Sequence, residues 1–311
     1  MDPDRSTVTE AIESDWRPGR PVDVRTTLGS LRRGTGDPAH RVDQDGTFWW
    51  AAATPLGPGT LALRSIRDGV RASAWGDGAA WLVDGVPELL GANDDWSTLD
   101  LSRHPLLDRT LRGLPGLRLA RTRLVFGSLL PAVLEQRVTG HEARRAWRGL
   151  LHRVGTAAPG PRAGLRVPPP PAAVLDVPTW DWHRLGVDIT RQRAIRAAAT
   201  VAPRLEECVG LSTADALARL RVVPGVGEWT AAETLQRALG DPDTVSVGDF
   251  HIHDLVVYAL TGRPRGDDVE MLRLLEPWAG QRQRVVRLIE LSPATKPRFG
   301  PRHAPQDMRA M

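Results

Sequence analysis

Lysine is all but missing. Of 41 basic residues only Lys296 is a lysine, and the rest are arginine. A reaction that needs a side-chain amine would have to use that one residue, in a Pro-rich stretch, or the N-terminus. Cysteine is as scarce. The single Cys208 excludes an internal disulfide framework and any Cys-ligated cluster or zinc site within one chain. No apolar run approaches the length that crosses a bilayer. The opening MDPDRSTVTEAIESDW is acidic and lacks a signal-peptide core, so a cytoplasmic location without a membrane partner is expected. A net charge of +4 points to no partner by itself. Abundant arginine accompanied by Ala, Gly and Pro is what a GC-rich genome produces. The guanidinium fork nevertheless suits phosphate, which it can pair bidentately.

With 311 residues the chain can hold two or three domains and a sizeable core. From about Pro21 to Gly91 the pattern favours strands. TFWWAAAT, GTLALRSI, VRASAWG and AAWLVDG are short, aromatic or branched, and separated by Gly, Pro and Asp turns. Past residue 86 apolar residues recur at helical spacing, first over 121–136, where Pro131 should kink or divide the helix, and then over 141–154. A Pro-rich link, 157–171, contains PPPP and favours an extended conformation. Helical patterns resume near Ala172 and at 190–201, 212–220, 228–239, 249–260, 267–275 and 281–291. The division expected is a strand-rich α+β domain over 1–97, a helical body over 98–292, and a basic, Pro-rich tail over 293–311.

Two of these helices are joined by RVVPGVG. Gly225 and Gly227 can take left-handed angles and leave bare N–H groups exposed. The helix starting at Glu228 adds its own unpaired N–H groups and positive dipole end. A DNA phosphate would fit there without any base-specific contact. A plain corner between two helices would carry the same glycines.

A helix, a P-G-V-G hairpin, a second helix and an aspartate about twenty residues on make a combined pattern. VPGVGEWTAAETLQRALGDPDTVSVGDFHIHDLV thereby resembles the helix-hairpin-helix DNA glycosylase superfamily. LPGLRLARTRLVFGSLLPAVLEQRVTGHEARRAWRGLLHRVG and WHRLGVDITRQRAIRAAA are similar to segments of its inducible 3-methyladenine-DNA glycosylase branch. The resemblance covers roughly residues 98–292. It implies a mainly α fold: a helical glycosylase body of two subdomains, with the helix-hairpin-helix at 212–240, and a small N-terminal antiparallel β-containing domain. It also implies damaged double-stranded DNA as partner, a monomer, and no required cofactor.

On this resemblance Asp249 is the catalytic carboxylate. Read from the sequence alone, just before an apolar helical run, it would sooner be a helix N-cap. Three residues on stands Ile252, so no capping box favours that role. Cleaving a sugar–base bond builds positive charge on the sugar, and one buried anion can stabilise it and orient the attacking water. An alkylated purine is already cationic and leaves without a general acid. The nucleotide must first be flipped out of the duplex. Glycosylases of the superfamily that also cut the backbone carry a lysine two residues after the second hairpin glycine. Here that position is Trp229, so covalent amine catalysis is not expected.

Trp229, Glu233 and Phe250 are then the base-pocket candidates. Trp229 would be an aromatic wall attracting a cationic purine, or else a tryptophan packed between helices. Glu233 shares its face one turn on, where relatives tend to have an aromatic, and would pair with a cationic base or face solvent. Gln136, Arg137, Gly225, Val226, Gly227, Glu228 and Thr230 are the DNA-contact candidates. Gln136 and Arg137 match the turn that fills the vacated stack, although relatives often place an apolar wedge there. The carbonyls of Val223 and Val226 would hold a structural Na+ or K+. The histidines of GDFHIHD, two residues apart on a helix, diverge too far to share a metal. The competing readings are a non-catalytic DNA-binding or lesion-sensing protein, and a helix-rich interaction protein without a nucleic-acid role.

Overall fold

The computed structural model describes residues 10–294. The tail expected over 293–311, Lys296 included, therefore lies outside the described residues from 295 on.

Five strands form one antiparallel sheet in the order β1-β5-β4-β3-β2: β1 Ile12–Trp16, β2 His40–Val42, β3 Phe48–Thr54, β4 Gly57–Ile66 and β5 Gly69–Trp75. The central three match the expected strands. Their inward residues Phe48, Trp50, Leu61, Leu63, Val70 and Ala72 alternate along the chain and bury one face. β1 (IESDW) gave no strand signal because four of its five residues are exposed. It is an edge strand held to β5 partly by cross-strand polar pairs, Asp15 with Arg71 and Glu13 with Ser73.

AAWLVDG corrects the sequence reading: it is helical, α2 Ala79–Asp84, not a strand. Gly76, at φ +88°, ends β5, and Ala79 and Leu82 are buried three residues apart, which is helical spacing. α1 Val24–Leu28 precedes β2, and α3 Val86–Leu89 follows α2 and closes this core with Val86 and Leu89.

The remaining helices bury two further clusters. α5 Val125–Leu134 and α6 Gly140–Arg153 pack with α7 Pro171–Leu175, α8 Thr179–Arg184, α9 Ile189–Thr200, α10 Ala202–Glu206, α11 Thr213–Arg221 and α12 Glu228–Ala238. The other cluster joins α4 Pro105–Gly113 to α13 Ile252–Thr261, α14 Asp268–Leu275 and α15 Arg282–Leu291. α5 runs through Pro131 without division. α12 packs on α5 through the buried Ala231, Leu235 and Ala238. Small residues allow the close approach, and burying Leu235 alone contributes about 1.5–3 kcal/mol.

Within the Pro-rich link, the short strands β6 Thr156–Ala157 and β7 Arg166–Val167 pair and lay Leu165 and Val167 against Ala51 of the sheet. The sheet and the helices are also joined by a buried polar hub. The Asp37 carboxylate accepts hydrogen bonds from the amides of Arg33 and Ala39 and from the Trp147 indole on α6, and it pairs with the His40 ring.

Candidate active site and nucleic-acid interface

α11 and α12 are joined by the expected tight hairpin. Gly225 takes φ +85°, and Val226 donates its amide to the Val223 carbonyl at 3.0 Å. Val223 and Val226 are buried and seat the turn in the core, whereas Val222 at the tip is 81% exposed. Gly227 is the N-cap residue of α12 and brings no side-chain cap to its first-turn amides, and Glu228, the first residue of the helix, is exposed. Gly225 is needed for two reasons. Its φ suits glycine, and a Cβ there would stand 2.6 Å from the Cβ of Ala194 on α9. Gly225→Ala should therefore push the hairpin off α9 and cost about 1–3 kcal/mol of stability. Thermal unfolding and duplex binding would check this, with a weaker hairpin showing in both.

The turn between α5 and α6 stands beside the hairpin. The Gln136 side-chain amide donates to the Gly225 carbonyl at 2.9 Å and to the Thr230 hydroxyl at 2.8 Å. Thr230 is buried, so its side chain serves Gln136 and does not reach the surface. Arg137 follows, exposed and at φ +53°, an unfavourable conformation for a side chain with a Cβ. Such strain persists only when neighbours over-determine it. Here those neighbours are Gln136 on one side and, on the other, the capping box of α6, in which Thr139 and Glu142 satisfy each other's amides. Arg137 is thereby held outward at the hairpin's edge.

Asp249 is half-buried. One carboxylate oxygen accepts the backbone amides of His251 and Ile252, at 2.7 and 3.0 Å. The other accepts the indole N–H of Trp229 at 3.1 Å. The helix α13 begins later than expected: His251 is its N-cap residue, and Asp249 reaches forward from the preceding loop to the amides of His251 and Ile252. The loop behind it is braced as well. Gly248, at φ +85°, donates its amide to Asp268 at 3.0 Å, and the Asp249 amide donates to the Ser246 carbonyl at 3.2 Å. Asp241 is buried and accepts from the amides of Asp243 and Thr244 and from the Thr213 hydroxyl.

Glu233 neither faces solvent nor stands alone. Arg237 donates to one of its oxygens at 2.7 Å and the Ser246 hydroxyl to the other at 2.5 Å. Burial pushes its carboxyl upward, but the charges of Arg237 and Arg33 and the Ser246 hydrogen bond outweigh this and leave it below the usual range. Arg33, from the sheet side, pairs with Glu135 at 2.9 Å, immediately before Gln136. Phe250 is 73% exposed and meets the His251 ring edge-on. His253 lies between Asp254 and Asp268, at 3.7 and 3.9 Å. Among the described residues no three His, Cys, Asp or Glu side chains converge on a metal-binding point. Ser246, Gln236, Asp268 and Arg33 were not singled out in the sequence. Only the proximity of Ser246 to Asp249 in the chain could have suggested any of them.

Solved structures of DNA glycosylases share this overall fold. A 3-methyladenine DNA glycosylase from Archaeoglobus fulgidus superposes with a TM-score of 0.72 at 16% identity, over 89% of this chain and 97% of that one. MBOgg1, solved with a low-affinity DNA ligand, gives 0.70 at 16% identity over 90% and 94%. An 8-oxoguanine glycosylase/lyase from Clostridium acetobutylicum gives 0.68 at 12% identity over 91% and 96%. No protein-family model matches the sequence, and no curated protein matches it.

Proposed function

We propose that the protein is a monofunctional DNA glycosylase of base excision repair. It binds damaged duplex DNA, acts as a monomer, and hydrolyses the N-glycosidic bond of flipped-out alkylated purines of the 3-methyladenine type. The observation that carries this reading is the Trp229–Asp249 pair. The shared fold does not choose between alkylated and oxidised bases, since structures of both kinds of enzyme superpose on it. Trp229 supports the monofunctional, alkylated-base reading. It stands where the resemblance puts the amine of a backbone-cutting enzyme, and here its N–H orients a carboxylate instead.

In the reaction the amides at the start of α12 and Arg137 hold the DNA backbone and the turn beside the lesion. Asp249, already oriented, stabilises the positive charge that develops on the sugar and orients water toward C1′. The Trp229 ring offers its face to a cationic base. Phe250, exposed beside Asp249, gives the bound nucleotide a second aromatic surface. Carbonyl oxygens are donors suited to a monovalent cation, and those of Val223 and Val226 would hold it and stiffen the hairpin. The hydrogen bond that the Val223 carbonyl already accepts leaves it a second lone pair.

Duplex oligonucleotides containing alkylated, deaminated or oxidised bases test the reading. Free alkylated base is expected, with strands cut only after alkali or heat and no adduct trapped by borohydride. Preference for 8-oxoguanine, or a trapped adduct, would overturn it. The non-catalytic reading draws on the support that Asp249 gives the His251 and Ile252 amides, and it requires that no base be released by the wild type.

A further inference from the structure

We propose that Glu233 is a positioning residue: through the Ser246 hydroxyl it fixes the loop that carries Asp249. It thereby sets the rate of base release rather than the affinity for DNA. The inference rests on the glycosylase reading of this site.

Both oxygens of Glu233 are engaged, one by Ser246 and one by Arg237, and its side chain is 13% exposed. It is therefore committed to protein contacts rather than to a base or to solvent. Ser246 is 4% exposed, and its hydroxyl also accepts the Gln236 side-chain amide at 2.9 Å. Its carbonyl receives the amide of Asp249. Glu233, Gln236 and Trp229 all belong to α12, so a single helix grips the loop at two places. Trp229 holds the Asp249 side chain, while Glu233 and Gln236 hold Ser246 three residues upstream.

The charge on Glu233 is secured by Arg237, which itself reaches the Ser30 carbonyl of the sheet side at 3.3 Å. Without the Ser246 anchor the loop can slide along α12 while the hairpin amides stay where they are. Chemistry is sensitive to such displacement: about 1 Å costs about 10²-fold in rate. Phosphate contacts at the hairpin are not.

Single-turnover base release and duplex affinity should be measured for the wild type, Ser246→Ala, Ser246→Thr and Glu233→Gln. Ser246→Ala is expected to slow release about 10–100-fold with affinity within about 2-fold. Ser246→Thr keeps the hydroxyl and should restore the rate. Amide exchange in a peptide spanning residues 244–250 should quicken in Ser246→Ala and Glu233→Gln, and exchange across 222–230 should not change. If Ser246→Ala does not fold, Ser246→Cys, with its weak donor, takes its place with the same expectations.

Release by Ser246→Ala at the wild-type rate overturns the inference. So does a slowed rate with an equal loss of affinity, or unaltered exchange over 244–250. Those outcomes leave the glycosylase reading standing. No release by the wild type on any damaged duplex overturns that reading, and the inference with it.

Discussion

Asp249→Asn is expected to lower single-turnover base release by at least about 10²–10³-fold, the scale on which removing an oriented electrostatic stabiliser acts. Duplex affinity should remain within a few-fold. The substitution is close to isosteric, and an amide oxygen can still accept from the amides of His251 and Ile252. The start of α13 should therefore hold, and unfolding should shift little. What disappears is the negative charge facing the sugar. The new NH2 group is a donor and cannot accept the Trp229 N–H, so that one hydrogen bond is lost as well. Release within about tenfold of wild type would remove Asp249 from the chemistry and leave it as a support for the start of α13. Loss of release together with loss of folding would show that this support is its main contribution.

Asp37→Ala is expected to have the largest effect on stability, a loss of about 3–5 kcal/mol in urea or thermal unfolding. The carboxylate is buried, and four groups depend on it. They are the Arg33 and Ala39 amides, the His40 ring and the Trp147 indole, which belong to both the sheet side and the helical side. Removing it strands all four in a region closed to water. Its carboxyl is also held well below the usual carboxylate range. Burial alone would raise it, but His40, by charge and hydrogen bond, the Arg33 amide and Trp147 outweigh that.

A carboxyl depressed in the folded state binds its proton more readily once unfolded, at about pH 3.9. Its contribution is therefore complete above about pH 5 and is lost as pH falls through the unfolded value toward the folded-state one. Unfolding of the wild type at pH 7, 4 and 3 should show this decline. Asp37→Asn should be less stable at pH 7 and flatter below pH 4. An unchanged acid slope in Asp37→Asn would assign the decline to other carboxylates.

The helices were legible because their signals are local. The patterns over 190–201, 212–220 and 228–239 became α9, α11 and α12 within a residue or two. Glycine requirements are local too, and the left-handed angle at Gly225 is what the PGVG stretch called for. β1 and α2 escaped for opposite reasons. β1 has no buried face of its own and exists because β5 offers an edge. AAWLVDG has the residues of a strand, but Gly76 turns the chain before it and the sheet offers Ala79 and Leu82 a helical docking site.

The same distinction applies at the site. Sequence alone determined that lysine is confined to Lys296, that a glycine hairpin stood between two helices, and that an aspartate followed. These depend on residue type and short spacing. Only the tertiary structure decided that the Trp229 indole holds Asp249, that Gln136 ties a strained turn to Gly225, and that Glu233 reaches Ser246 and Arg237. Buried polar groups must find partners when the chain closes, and those partners come from wherever packing brings a donor within about 3 Å. Their distance along the sequence carries no signal, because the requirement arises only once water has left.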